Sequence, residues 1–104
     1  MNKNYSLLDN AINEFLSCID EAIDMLQQNR WSVFKAQSEV DRSYYSTIGY
    51  VKCLFDLNRI TYEDNDDCYR YLQSKYEAVK RHFQIKLIRM QRDEENNFYR
   101  LKKR

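Results

Sequence analysis

The chain contains no proline and a single glycine, Gly49, among its 104 residues. Both residue types interrupt helices and build tight turns, so their scarcity argues against a β-sandwich or barrel, which needs many turns. A chain of this length has room for one domain with a modest core. We therefore expect a single all-α domain over residues 1–104, built from a few long helices with short connections.

The sequence also lacks the usual signatures of export, of disulfide bonding and of membrane insertion. Its cysteines, Cys18, Cys53 and Cys68, are odd in number and contain no CxxC pair, which argues against a disulfide framework or a zinc site. Free thiols are typical of a reducing cytoplasm, so we expect a cytoplasmic protein. The start of the chain has no apolar signal-peptide core, and no run approaches the ~20 apolar residues of a membrane span.

Groups for catalysis or metal binding are equally scarce. His82 is the only histidine, and its neighbours on a helix, such as Val79 and Lys86, are neither ligands nor catalytic partners. The acidic run at 63–67 has neither the central glycine nor the alternating ligands of a calcium-binding loop. We therefore predict a non-enzymatic protein with no catalytic residues, no metal site and no cofactor.

Apolar residues that recur at steps of three and four predict helices over about residues 6–28, 32–57 and 62–100. The connections are short, which predicts a three-helix antiparallel bundle or hairpin. Asn29 and Asn58 are suited to end helices in the left-handed conformation. Ser6 is a candidate cap for the first helix, and Thr61 is a candidate N-cap for the third.

Two features of the second helix leave its course open. Ser38 and Asp41 resemble a second helix start, so the helix is either continuous or broken near residues 36–39. Gly49 lies in mid-helix, where glycine costs ~1 kcal/mol against alanine. A small side chain at this position would allow another helix to approach closely.

The third helix is too long for its partners. At 1.5 Å per residue, ~39 residues reach ~58 Å, against ~35–40 Å for each of the other two helices. After Met90 the apolar residues thin to Phe98, Tyr99 and Leu101. The end of this helix must overhang, fray or pair with a second copy of the chain, which would make a homodimer.

Charge is distributed unevenly along the chain. Residues 1–29 hold one lysine and five acids, a net charge of −4, whereas residues 80–104 hold nine bases and three acids, a net charge of +6. The basic C-terminal helix indicates a nucleic-acid partner or an acidic protein surface. Alternatively it is a solvated face, because Glu94 and Glu95 can pair with nearby arginines.

Tyrosine is the residue type in excess. Seven of the nine tyrosines fall between residues 44 and 76, in the second and third helices, too many for a three-helix bundle to bury. Exposed tyrosine beside arginine is typical of protein interfaces, although tyrosines at a bundle edge with hydroxyls in water would look the same. We predict a protein partner. The predicted partner-binding residues are Tyr44, Tyr45, Tyr69, Arg70, Arg81, Arg89 and Arg92.

The second connection carries a resemblance. Over residues 54–72 the pattern Leu54, Leu57, Ile60-Thr61, Glu63 and Leu72 resembles an L-x-x-L-x-x-I-T-x-E…L helical hairpin of small proteins from phages, plasmids and conjugative elements of Gram-positive bacteria. Asn58 stands where that pattern usually has glycine. The resemblance implies a mobile-element setting, in which small proteins include regulators and inhibitors of host defence nucleases such as anti-CRISPR proteins. It assigns no residue a role.

Overall fold

The computed structural model describes the backbone of residues 3–102 and the side chains of residues 6–97. Three helices make up this part of the chain: α1 (Lys3–Gln27), α2 (Val33–Asp56) and α3 (Tyr62–Lys102). The predicted all-α fold with a long C-terminal helix is therefore confirmed. The start of α1 differs from expectation, because Ser6 lies inside the helix and cannot be its N-cap.

Both connections use the same backbone motif. Asn29 and Asn58 adopt left-handed conformations, with φ of 58° and 57°. At the end of α1 the N–H of Asn29 donates to Leu26 O at 3.1 Å and that of Arg30 to Met25 O at 2.9 Å. At the end of α2, Asn58 and the residue after it make the equivalent two hydrogen bonds. This is the Schellman arrangement, which satisfies the last carbonyls of a helix and turns the chain back on itself.

The starts of α2 and α3 are capped by side chains. The amide of Lys35 donates to Ser32 Oγ at 3.0 Å. Thr61 Oγ1 accepts from the Asp64 amide at 3.1 Å, while the Asp64 carboxylate accepts from the Thr61 amide at 3.4 Å. The Thr61 cap predicted from the sequence is confirmed, as the first residue of a reciprocal capping box.

The two open questions about α2 are resolved. The helix is continuous through residues 36–39, with Ser38 and Asp41 inside it. A Cβ added to Gly49 would meet nothing within 4 Å. The expectation that Gly49 admits a closely packed helix is therefore wrong.

α2 is the central element of the bundle, since it packs along both α1 and α3 while those two contact each other at few points. The largest fully buried side chains are Phe15, Phe83, Leu72, Val40 and Val51. The molecule measures 68 × 22 × 17 Å. Beyond Leu87, every described side chain of α3 is exposed, so in the single chain residues 88–97 extend past the bundle as a helix, and pairing with a second copy stays a prediction.

Candidate functional site

The seven tyrosines of α2 and α3 whose side chains are described divide into two groups. Tyr44 and Tyr76 are buried, and the other five are exposed, which confirms that the bundle cannot bury them all. Tyr44 was predicted to contact a partner, yet it is only 6% exposed. Its ring packs into the core against Phe15, at 5.8 Å between centroids, and is not available to a partner.

The two buried tyrosines join α2 to α3. Their rings stack at 4.0 Å between centroids with an interplanar angle of 5°. The Tyr76 hydroxyl donates to Asp41 Oδ1, which also accepts from Gln37 Nε2 at 2.8 Å. Burial, and then the hydrogen bond to Asp41, raises the pKa of Tyr76. Burial, and then the nearness of Tyr69, raises the pKa of Tyr44.

Sequence reasoning missed this cluster because it interpreted Asp41 as a possible helix start. The signal was present: Asp41 lies three residues before Tyr44, a spacing that places both on one face of a helix. A carboxylate on an apolar face predicts a hydrogen-bond donor on the element packed against it.

A groove of about 270 Å³ lies between α2 and α3 on the exposed side of this cluster. We call it the α2–α3 groove. Its lining residues are Ile48, Val51, Lys52, Phe55, Asp56, Asn65 and Tyr69. Tyr62 extends it, with its ring 6.2 Å from that of Phe55, and Tyr45 lies one turn before Ile48 on α2. Tyr45 is 65% exposed, Tyr62 68% and Tyr69 43%.

A second groove, of about 380 Å³, lies between α1 and α2 and is lined largely by polar side chains such as Asn10, Glu14 and Ser46. Tyr50 is its only aromatic lining residue. The α2–α3 groove therefore has the more aromatic lining of the two, although Phe34 and Tyr71 are also exposed elsewhere on the described chain.

The predicted arginines lie elsewhere on α3. Arg70 pairs with Asp66, with Nε 3.1 Å from Oδ2. Arg81, Arg89 and Arg92 are exposed, and none forms an ion pair with a side chain of residues 6–97. Within that range, the pairing that the sequence allows for Glu94 and Glu95 is not made.

The seven predicted site residues thus fall in three places. Tyr44 is in the core, Tyr69 lines the α2–α3 groove with Tyr45 one turn before its residue Ile48, and the four arginines lie along exposed positions of α3. The structure does not bring them into one patch. Sequence reasoning also omitted Tyr62, Phe55 and Lys52, since periodicity alone does not show which residues face a groove between two helices.

The remaining reactive groups are scattered. Cys18 is half-buried and donates to Glu39 O at 3.6 Å, burial raises the pKa of the Cys68 thiol, and Cys53 is exposed. His82 is exposed beside Phe83, with 5.9 Å between ring centroids. Among the described residues no group of three or more His, Cys, Asp or Glu side chains is placed to hold a metal ion.

The helices of the described chain include none with both the length and the apolar content of a membrane span. Comparison of the chain with protein-family models, with curated proteins and with solved structures finds no match. The geometry of the exposed surfaces is therefore the basis for a functional proposal.

Proposed function

We propose that this protein is a non-enzymatic interaction module that binds a protein partner through the α2–α3 groove. The observation that carries the proposal is an apolar groove lined by the exposed Tyr69, with the exposed Tyr62 against its residue Phe55 and the exposed Tyr45 one turn before its residue Ile48. Tyrosine offers a large apolar ring together with a hydroxyl that hydrogen-bonds in water or in a contact, and it is enriched where proteins bind each other.

The groove is held in shape before any partner arrives. The stack of Tyr44 on Tyr76 and the bond from Tyr76 to Asp41 fix α2 against α3 directly beside it. Binding to a preformed surface loses less conformational entropy than binding to one that must first be ordered. A preformed groove with exposed tyrosines nearby is therefore suited to a specific contact with a partner protein.

The size of the groove favours a protein over a small molecule. Ligand pockets are usually concave cavities of roughly 300–1,000 Å³ that enclose most of the ligand, whereas this groove is about 270 Å³ and open along one side. It has room for one or two apolar side chains from a partner. Lys52 and Asp56 add one charge of each sign beside them.

The resemblance at residues 54–72 adds a proposal about setting. In that setting the protein is encoded by a mobile element and inhibits a host defence nuclease, as anti-CRISPR proteins do. An inhibitor that covers a surface needs no catalytic residues, which agrees with the scattered reactive groups of this chain.

The test is affinity purification of the tagged protein from a Gram-positive host, with mass spectrometry, comparing wild type with Tyr45→Ala/Tyr69→Ala. We expect a partner recovered with wild type and at least about tenfold depleted with the variant, since interface tyrosines carry about 2 kcal/mol or more. The matched control is Tyr50→Ala/Tyr71→Ala, which removes two tyrosines that are each 42% exposed away from the groove. Equal recovery with all three proteins would contradict the proposal.

A second candidate function is binding of nucleic acid by the basic face of α3. It is favoured by Arg81, Arg89 and Arg92, which are exposed and unpaired with any described side chain. Phosphate contacts of this kind weaken steeply with salt. Failure of wild type to shift DNA or RNA at about 50 mM salt, where such binding is strong, would dispose of this candidate. A shift abolished by Arg81→Glu/Arg89→Glu would support it.

A further inference from the structure

The face of α3 that points away from the bundle carries two exposed isoleucines between two arginines. Ile85 is 51% exposed and Ile88 53%, while Phe83 in the same turn is fully buried. Arg81, Ile85, Ile88 and Arg92 follow one another at steps of four, three and four, which keeps them on one side of a helix. We call these four residues the outer strip.

The outer strip lies in a part of α3 in which all the charged side chains are basic. Residues 81–92 contain four bases and no acid. Arg42 and Arg70 each pair with a carboxylate on their own helix, but neither arginine of the strip is paired with a described side chain. The strip therefore exposes an apolar centre and two uncompensated positive ends.

We propose that the outer strip binds an amphipathic helix of a partner protein that carries carboxylates at the strip's own spacing: acid, x₃, apolar, x₂, apolar, x₃, acid. Guanidinium groups bind carboxylates in a bidentate manner, and apolar residues at these steps pack along a facing helix. The spacing reads the same in both directions, so it accommodates a parallel or an antiparallel partner. The strip is on a different side of α3 from Tyr69, and the proposal is independent of the α2–α3 groove.

Other occupants match the strip less well. A nucleic-acid backbone supplies phosphates for the arginines but no apolar complement for Ile85 and Ile88. A second copy, with the two strips antiparallel about their centres, would place Arg81 of one chain against Arg92 of the other, and such like charges repel. A membrane surface favours bulky aromatic or leucine side chains on the apolar face, and the strip has none.

The direct test uses a synthetic helical peptide with Glu, Leu, Leu and Glu at the four-three-four spacing, added to the full chain. We expect saturable binding by calorimetry, with amide shifts in NMR concentrated at residues 81–92. Binding should weaken about tenfold or more when salt rises from about 0.05 to about 0.5 M, since the exposed charges are then screened. A peptide of the same composition with the four positions scrambled is the control, and we expect at least about tenfold weaker binding from it.

Reversing the charges on both the strip and the peptide distinguishes a loss of recognition from a loss of folding. Arg81→Glu/Arg92→Glu should lose the Glu-bearing peptide and gain affinity for a matched peptide in which lysine replaces glutamate. Ile85→Ser/Ile88→Ser should lose binding of both peptides while keeping wild-type helicity by circular dichroism, since both side chains are exposed.

Several results would overturn the proposal. They are no binding of the Glu-bearing peptide, equal binding of the scrambled peptide, or failure of the charge-exchanged pair to associate. Arginine-dependent binding of duplex DNA or of phosphatidylserine vesicles, without peptide binding, would assign the strip to those partners instead. A doubled mass in solution that Ile85→Ser/Ile88→Ser abolishes would assign it to a second copy.

Discussion

Asp41 and Tyr76 form a polar contact within the packed interface of α2 and α3. A partly buried carboxylate is costly unless it is hydrogen-bonded, and Asp41 accepts from both the Tyr76 hydroxyl and the Gln37 amide. Between residues 6 and 97 no buried side-chain nitrogen or oxygen is left without a partner. The pair also fixes the position of α3 along α2, because an apolar contact alone tolerates sliding better than a hydrogen bond does.

Tyr76→Phe tests the value of this bond. The substitution keeps the ring stacked on Tyr44 but removes the donor to Asp41. Hydrogen bonds to charged groups contribute about 1.5–3 kcal/mol, so we expect the free energy of unfolding to fall by about 2 kcal/mol in urea titrations. Tyr62→Phe is the control, since it removes the hydroxyl of a tyrosine that is 68% exposed and lies away from the Tyr44–Tyr76 stack, and it should change stability little. Equal stability of the two variants would show that the bond contributes nothing.

Tyr76 also makes the stability of the protein depend on pH in the alkaline range. The pKa values of Tyr76 and Tyr44 are raised in the folded chain above the ordinary value of 10.0. The unfolded chain therefore loses these protons first, and the stability they contribute is complete below about pH 10 and is lost as pH rises beyond it. Urea midpoints measured between about pH 8 and pH 12 should fall above pH 10, and more steeply for wild type than for Tyr76→Phe. Parallel curves would rule out this linkage.

Single residues also show why the site was harder to predict than the fold. Tyr44 and Tyr45 are adjacent in sequence, yet one is buried against Phe15 and the other is 65% exposed. Tyr44 lies four residues after Val40 and four before Ile48, a spacing that predicts burial on the apolar face of α2, but the abundance of tyrosine suggested a surface role for both. Which tyrosines border a groove depends on the rotation of α2 against α3, and that rotation is set by tertiary contacts such as Tyr76 with Asp41.

The helices were predicted well because their ends are determined by residues that act within the adjoining turn. Asn29, Asn58 and Thr61 act through their own turns, so no knowledge of packing is needed to interpret them. Ser38 and Asp41 have the spacing of a helix start although they lie inside α2, so the local pattern was misleading at this position. The apolar positions Ala36, Val40 and Tyr44 pack into the core, and this burial keeps α2 continuous across the false start.

Gly49 is the one helical position where the sequence is locally unfavourable and the fold gives no reason for it. Nothing lies within 4 Å of an added Cβ, so Gly49→Ala should gain the helix propensity of alanine without a clash. We expect an increase of about 1 kcal/mol in the free energy of unfolding. Ala78→Gly, at an exposed position of α3, is the reciprocal control and should lose about as much. A destabilised Gly49→Ala protein would indicate that a partner, or a second copy, lies against this position.

On the scale of the whole molecule, which is 68 Å long, the two terminal parts of the chain carry opposite net charges, −4 over residues 1–29 and +6 over residues 80–104. The acidic α1 is part of the bundle, whereas six of the nine bases of residues 80–104, together with all three acids of that segment, follow Leu87 in sequence. α1 and α3 contact each other at few points, and among the described side chains every ion pair lies within one helix, so none joins the acidic α1 to the basic α3. This separation was predictable from the charge counts and the helix lengths together.

The overhang should therefore differ in local stability from the rest of α3. Residues 68–83 place Cys68, Leu72, Tyr76, Val79 and Phe83 in the core, whereas residues 88–97 are exposed throughout. Helical amides without tertiary packing open at low free-energy cost, so we expect hydrogen exchange at 88–97 to be faster than at 68–83 by on the order of a hundredfold or more. A peptide bound to the outer strip should slow exchange at residues 85–92 and leave 68–83 unchanged. Uniform protection along α3 in the free protein would instead mean that the overhang is already covered, and a doubled mass by light scattering would identify the cover as a second copy of this chain.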